Sequence, residues 1–394
     1  MLIEFSVKNY RSFRDETILS MEATKSSTLK SVLIPFGGMP ILPSAAIYGK
    51  NVGGKSNVIR AFWLAAQFIR SAQRTQHEKA PIPVTPFALN DYSAFEPTKF
   101  SFLYTLDGIR YWYSFSATKG KVYTESLYHA PKGRKTLVFA REGQEFSFTE
   151  AKARRKLISQ VVAENQLFFS VACTMNDVDC AKAMMWFREM IYFSRDYSDI
   201  PRQLLEYPND ANILRAISNY AKAADVGIED MRLLSETSND SETNLKAISI
   251  HQGKDKVGKP SVYTMELSDE SDGTRKLMAL APAIESVLTK GGLLLVDGIE
   301  KELHPALVEF IVAKFQSRKT NPNGAQIVFT THNSDLLDME SLRKDQLYFV
   351  DKNSEGVSEL YSISDFSAHA TESIRKGYLL GKYGATPNIE IEEL

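Results

Sequence analysis

ILPSAAIYGKNVGGKSN, residues 41–57, is the stretch on which the fold turns. Residues 41–48 form an apolar run that reads as a strand. Residues 49–56, GKNVGGKS, then satisfy G-x-x-x-x-G-K-[ST]. Glycines let a backbone curl until successive N–H groups point at phosphate oxygens, a lysine adds a point charge, and the hydroxyl can ligate magnesium. After the loop, NVIRAFWLAAQFIRSAQ places Val58, Ile59, Phe62, Trp63, Ala66 and Ile69 at helical spacing. Strand, loop and helix in that order are the setting of a phosphate-binding loop, whereas a merely flexible glycine turn would need neither flank. The candidate phosphate contacts are Gly49, Lys50, Asn51, Val52, Gly53, Gly54, Lys55, Ser56 and Asn57.

Three later elements carry chemistry that suits the same site. LLLVDGIE is an apolar strand ending at Asp297, where a carboxylate can stand near magnesium. LSDESDGTRKLMALAPAI puts Ser271, Asp272 and Gly273 at the predicted start of a helix. Free N–H groups and the positive end of the helix dipole would suit a phosphate there, although taken alone these residues read more readily as a plain N-cap. IVFTTHNSDLL is a strand ending at His332, whose imidazole could hydrogen-bond a terminal phosphate and the attacking water. The other histidines, His77, His129, His251, His304 and His369, suggest no role, beyond the position of His304 in a loop after Asp297.

The rest of the chain sets limits. Its 394 residues, 43% hydrophobic and 24% charged, are enough for two domains or one with a large insertion. With 47 basic and 48 acidic residues the formal charge is −1, so any nucleic-acid site would be local. KGRK at 132–135 and KARRK at 152–156 could meet phosphates, or could be solvated turn and helix faces. Cys173 and Cys180 lack zinc-site spacing, and no export leader or run of 18 apolar residues is evident. A cytoplasmic protein without a membrane span is expected. Residues 83–149 read as antiparallel strands separated by Asp-Gly, Lys-Gly and Pro-Lys-Gly turns. Residues 150–233 read as helical, a lid or arm. Residues 235–244 and 251–260 read as exposed loops, and α/β character returns beyond them.

These elements, in this order, resemble the ABC-type ATPases of the SMC, RecF and OLD kind. More closely, they are similar to the compact AAA-family ATPases of bacterial abortive-infection and anti-phage defence systems. The resemblance rests on NYRSF, GKNVGGKSN, ESDGTRKLMALAP, LLLVDGIEKELHP, TTHN, ELYSISDF and KGYLLGKYGATP. It implies an α/β P-loop ATPase head with a mixed sheet, an antiparallel β region and a helical insertion. Residues 1–150 would be the N-terminal half of the head, 151–260 a mainly helical insertion, and 261–394 the C-terminal half. It makes residues 49–56 the Walker A loop for ATP, Ser56 and Asp297 the Mg2+ ligands, 271–274 the signature, 301–305 the D-loop and His332 the switch histidine.

The resemblance further implies a homodimer or higher oligomer with ATP at the interface, and a separately encoded effector, a nuclease or other toxin, under its control. Nucleic acid is a possible partner and a membrane is not. One departure bears on activity. Gly298 stands where the family has a catalytic glutamate, and loss of such a group costs on the order of a hundredfold or more in rate. Glu300 is the nearest substitute. A DNA-repair ATPase of the RecF or SMC type and a non-hydrolysing ATP-dependent scaffold are the alternative functions.

Overall fold

The first strand, β1 (Leu2–Lys8), buries Ile3, Phe5 and Val7 on one face. In the computed structural model, which describes residues 1–71, 80–194, 211–224, 227–237, 243–338, 342–366 and 373–386, it opens a seven-stranded sheet. β2 (Thr17–Ser20) pairs with it. The short hairpin β3 (Ile34–Phe36) and β4 (Met39–Ile41) then leads into β5 (Ser44–Gly49) and α1 (Lys55–Ser71). β6 (Thr98–Leu106), β7 (Ile109–Ala117), β8 (Val122–His129), β9 (Thr136–Glu142) and β10 (Glu145–Phe148) complete the first sheet in the order β10-β9-β8-β7-β6-β1-β2. Every pairing in it is antiparallel, as the turn signals of residues 83–149 predict.

α2 (Lys152–Ser159), α3 (Phe168–Thr174), α4 (Val178–Glu189), β11 (Ile191–Ser194) and α5 (Ala211–Ala224) follow. Next come β12 (Ile228–Thr237), β13 (Thr243–Lys254) and β14 (Pro260–Glu266), a separate three-stranded sheet. The chain then runs through α6 (Asp272–Lys290), β15 (Leu293–Val296), α7 (Pro305–Gln316), β16 (Gln326–Thr330), β17 (Leu347–Lys352), β18 (Ser358–Ser362) and α8 (Ile374–Leu379).

The central sheet has the order β11-β15-β16-β5-β17-β18, parallel except at β18. Its inner strands are apolar along their length because both faces are covered. The period of two divides their side chains between two cores. Ala45, Ile47, Leu293, Leu295, Val328 and Val350 face a cluster shared with the antiparallel sheet, α1, α3 and α4. Ala46, Tyr48, Leu294, Val296, Ile327, Phe329 and Phe349 face the other, built with α6 and α7. At the seam the buried Gln326 amide accepts from Leu2 N at 2.6 Å and donates to Leu2 O at 2.9 Å and Leu42 O at 3.1 Å, which locks the two sheets together. The product is the expected α/β P-loop fold with an antiparallel β region.

Two expectations change. The helical stretch ends at Ala224, and the residues from Ile228 onward alternate in a strand. The segment 251–260 is not wholly a loop either. His251 to Lys254 pair with β14, and only residues 255–259 turn, under a cap in which Asp255 Oδ1 accepts from Val257 N and Lys259 N at 2.9 and 2.8 Å. Polar composition had masked the period of two. Of the polar segment 235–244, residues 238–242 lie outside the described residues, as do His77 and His369.

A further change concerns KARRK. Arg155 is 1% exposed and is held by Asp177 at 2.8 and 3.1 Å, Asp179 at 2.6 Å and the Val138 carbonyl at 3.0 Å. Arg154 donates to the Met175 and Asn176 carbonyls at 2.7 and 3.0 Å. Arg155 fastens the helical region to β9 and, being buried, is not available to a nucleic-acid backbone, whereas Arg154 stays exposed beside the turn between α3 and α4. Arg155→Ala should therefore lower stability by about 3–5 kcal/mol, because it strands a buried carboxylate. Denaturant unfolding would show this as a shifted midpoint, and an unchanged midpoint would rule out the buried-anchor reading.

Candidate nucleotide-binding site

Residues 50–57, Arg60, Asp297, Gly298, Lys301, Thr330, His332 and Lys352 line one cavity of about 420 Å3. It lies where β5, β15 and β16 end side by side, with the N-terminus of α1 at its floor. Carboxyl ends of parallel strands and the amide end of a helix are together a favourable place for an anion. The glycine-rich loop curls on itself through Gly53 N to Lys50 O at 3.1 Å and Asn57 N to Gly54 O at 2.9 Å. Its outside is braced by Ser358, which donates to Gly53 O at 2.6 Å, and by Asn57, which donates to Ser12 Oγ at 2.8 Å. Lys50 is tied away by Asp351 at 2.7 Å.

Lys55 folds back over the loop and donates to Gly49 O at 2.7 Å and Lys50 O at 3.1 Å. Burial pulls its pKa down to about 8, against the opposing fields of Glu300 and Asp297. The Ser56 hydroxyl donates to Asp297 Oδ1 at 2.7 Å, and the same oxygen accepts from Thr330 Oγ1 at 2.8 Å. Thr330 Oγ1 in turn accepts from Gly298 N at 2.7 Å. A carboxylate and a hydroxyl in contact are chemically suited to a hard cation such as magnesium, with phosphate and water to complete its coordination. Among the described residues, no cluster of three or more His, Cys, Asp or Glu is arranged for a metal.

His332 lines the cavity, and its backbone N–H donates to Glu300 Oε1 at 2.9 Å. Burial and the nearby Lys55 hold the imidazole below its ordinary pKa, so it is neutral at pH 7. Glu300 does not line the cavity. Its Oε2 is buried without a hydrogen-bond partner among the described residues.

Ser271, Asp272 and Gly273 are apart from this cavity. Ser271 caps α6 and accepts from Thr274 N at 3.1 Å, while Asp272 pairs with Arg275. A Cβ on Gly273 would lie 2.7 Å from Glu302 O, so glycine allows the helix end to approach the segment after Asp297. Behind Ser271, Glu270 is held by His251 at 2.7 Å. His304 caps α7, its Nδ1 accepting from Ala306 N at 3.2 Å. Reading the sequence passed over Thr330 and Lys276, and took Lys301 only as the first residue of the D-loop. The Thr330 hydroxyl was visible inside TTHN, two positions before His332. Lys276 and Lys301 had no local signal, since both matter only once α6 lies against the turn after β15.

The Lys55 pKa gives a signed expectation. Below about pH 8 the lysine is already charged. Above that value a bound polyphosphate must restore the proton, so affinity should fall as pH rises, by up to about tenfold per unit. Binding isotherms at constant ionic strength would show the slope, and Lys55→Arg, which keeps its proton, should flatten it. A pH-independent wild type would contradict the assignment of Lys55 to the phosphates.

A family model described as "AAA domain, putative AbiEii toxin, Type IV TA system" matches residues 44–338. Comparison with curated proteins finds no match. Among solved structures, the crystal structure of the SmcHead bound to the C-winged helix domain of ScpA aligns over 96% of this chain and 99% of that chain, at 16% identity and a TM-score of 0.47. No helix among the described residues is long and apolar enough to cross a membrane. The family match takes in the glycine-rich loop, Ser271, Asp297 and His332 together, and the chain belongs to this family of AAA-domain ATPases.

Proposed function

We propose that the chain binds ATP with Mg2+ between two copies of itself, hydrolyses it slowly, and uses the assembled state to control a separately encoded toxic effector in bacterial anti-phage defence. The observation that carries the nucleotide part is the 2.7 Å contact between Ser56 and Asp297, side chains 241 residues apart, on the wall of a cavity lined by Lys55. In this reading residues 50–57 cradle the phosphates through backbone N–H groups, and Ser56 and Asp297 hold the magnesium that neutralises phosphate charge. Thr330 keeps the Asp297 carboxylate turned toward Ser56. His332, neutral and at the rim, contacts the terminal phosphate.

The dimer follows from what one chain lacks. Ser271 and Asp272 are exposed at the amide end of a 19-residue helix and do not reach their own cavity. A second copy, docked head to tail, would bring them to the far side of the phosphates. The defence assignment is supported by the family description, which names a putative toxin of a type IV toxin–antitoxin system. The nucleic-acid alternative loses one of its basic groups because Arg155 is buried and held by Asp177 and Asp179.

Slow hydrolysis follows from Gly298, which has no proton acceptor to offer. Glu300 is the nearest remaining carboxylate; its Oε1 is fixed by His332 N, and its buried Oε2, outside the cavity lining, would have to turn toward the phosphates to act on a water. Phosphate release should run about a hundredfold or more below that expected with a catalytic carboxylate in place. Glu300→Gln keeps an acceptor for His332 N but removes the base, so it should reduce residual turnover about tenfold or more while ATP binding persists. Unchanged turnover would remove Glu300 from the chemistry.

Light scattering with and without ATP should report a doubling of mass that Ser271→Arg prevents. A monomer at saturating ATP would defeat the shared-site reading. Co-purification with the product of a neighbouring gene is expected, and full phage protection by this chain alone would overturn effector control.

A further inference from the structure

Position 298 is filled, but by another residue's side chain. Gly298 has φ +72°, and a Cβ placed on it would lie 2.6 Å from Cε, 3.0 Å from Cδ and 3.2 Å from Cγ of Lys301. A tight turn creates the overlap, with Lys301 N donating to Gly298 O at 3.2 Å. Lys276 secures that turn from α6, its ammonium donating to Gly298 O at 3.1 Å and Lys301 O at 2.5 Å. With its stem laid across Gly298, Lys301 reaches the cavity wall that also holds Lys55, Asp297, Thr330 and His332. It is close enough to His332 to oppose protonation of the imidazole. Lys50 in the same cavity is neutralised by Asp351, whereas Lys301 has no carboxylate partner among the described residues.

We propose that Lys301 contacts the terminal phosphate of ATP, entering from the place where a catalytic carboxylate would stand, and that glycine at 298 is what admits it. The substitution therefore exchanges function as well as removing it. A carboxylate there would accept a proton from water, while an ammonium can only donate to phosphate oxygens. The site becomes better at holding a triphosphate and worse at cleaving it. Chemically, Lys301 is a discriminator between ATP and ADP, because ADP has no group at that depth. The proposal rests on the ATP reading given above.

Affinities of the full-length protein for ATP and for ADP, both with Mg2+, test it in wild type, Lys301→Met, Lys301→Arg and Gly298→Ala. Lys301→Met is expected to weaken ATP about tenfold, as loss of a charge-assisted contact does, and to leave ADP unchanged. Unchanged ADP affinity is also the control for folding. Lys301→Arg should restore most of the ATP preference. Gly298→Ala leaves the lysine in the sequence but displaces its stem, so it should reproduce the selective loss. An ATP-to-ADP ratio that stays at the wild-type value in Lys301→Met overturns the proposal while leaving ATP binding intact. If wild type binds neither nucleotide, or Lys55→Met binds ATP as well as wild type does, the reading of the site itself fails.

Discussion

Asp297 Oδ1 accepts two hydroxyl hydrogen bonds, from Ser56 at 2.7 Å and Thr330 at 2.8 Å, and the rest of the site is arranged around that oxygen. The three residues come from three segments of the chain that the central sheet makes neighbours. β16 lies between β15 and β5, so the strand ends carrying Asp297, Thr330 and the glycine-rich loop stand in a row. Below the junction the strands are buried and mainly apolar, which holds their register, since a slip of one residue would send each side chain to the opposite core. Rigid apolar strands therefore fix the positions of a few polar groups at their tips. A carboxylate between two hydroxyls is kept in one orientation without a positive partner, and it remains available to a cation.

Much of this was legible because it is local. A phosphate loop, an apolar strand with an acidic end and a strand ending in Thr-Thr-His are each contiguous, and their order along the chain carries the rest. The antiparallel sheet was legible for the same reason, through its turn residues. The sequence was least informative where a charged residue is buried. Arg155 looks like the solvated face of a basic helix until Asp177 and Asp179, more than twenty residues later, are seen to enclose it. β12 and β13 were hidden differently: the start of β12 read as the end of a helical stretch, and polar residues made its end and parts of β13 read as loop. A finer reading of local composition would not have found the burial of Arg155, because its carboxylate partners are remote, whereas the β12–β13 hairpin is local and was concealed by its polar residues.

Gly298 illustrates the limit from the opposite side. The sequence shows correctly that no carboxylate is present, and stops there. The turn explains what the absence does, because φ +72° and the approach of Lys301 both favour glycine. A larger residue would meet a backbone conformation costing about 1 kcal/mol as well as the lysine stem. Restoring glutamate at 298 is thus not a simple return to a hydrolytic site, since it must also dislodge a cation and strain the turn.

The same turn connects the two ends of the proposed interface. α6 carries Ser271 at its N-cap and Lys276 just over one turn further on, and Lys276 donates to the carbonyls of Gly298 and Lys301. Burial lowers the Lys276 pKa to about 8, against the opposing fields of Glu302 and Glu300. Those carbonyls belong to the turn that sets the position of Lys301 and follows directly from Asp297. A helix is stiff over one turn, so displacing its N-terminus displaces Lys276 as well. In the proposed dimer, engagement of Ser271 by the neighbouring copy's nucleotide would therefore be felt at the Asp297 turn of the same chain. That is a short mechanical route by which occupancy of one site informs the other, and it needs only side chains already in contact in the single protomer.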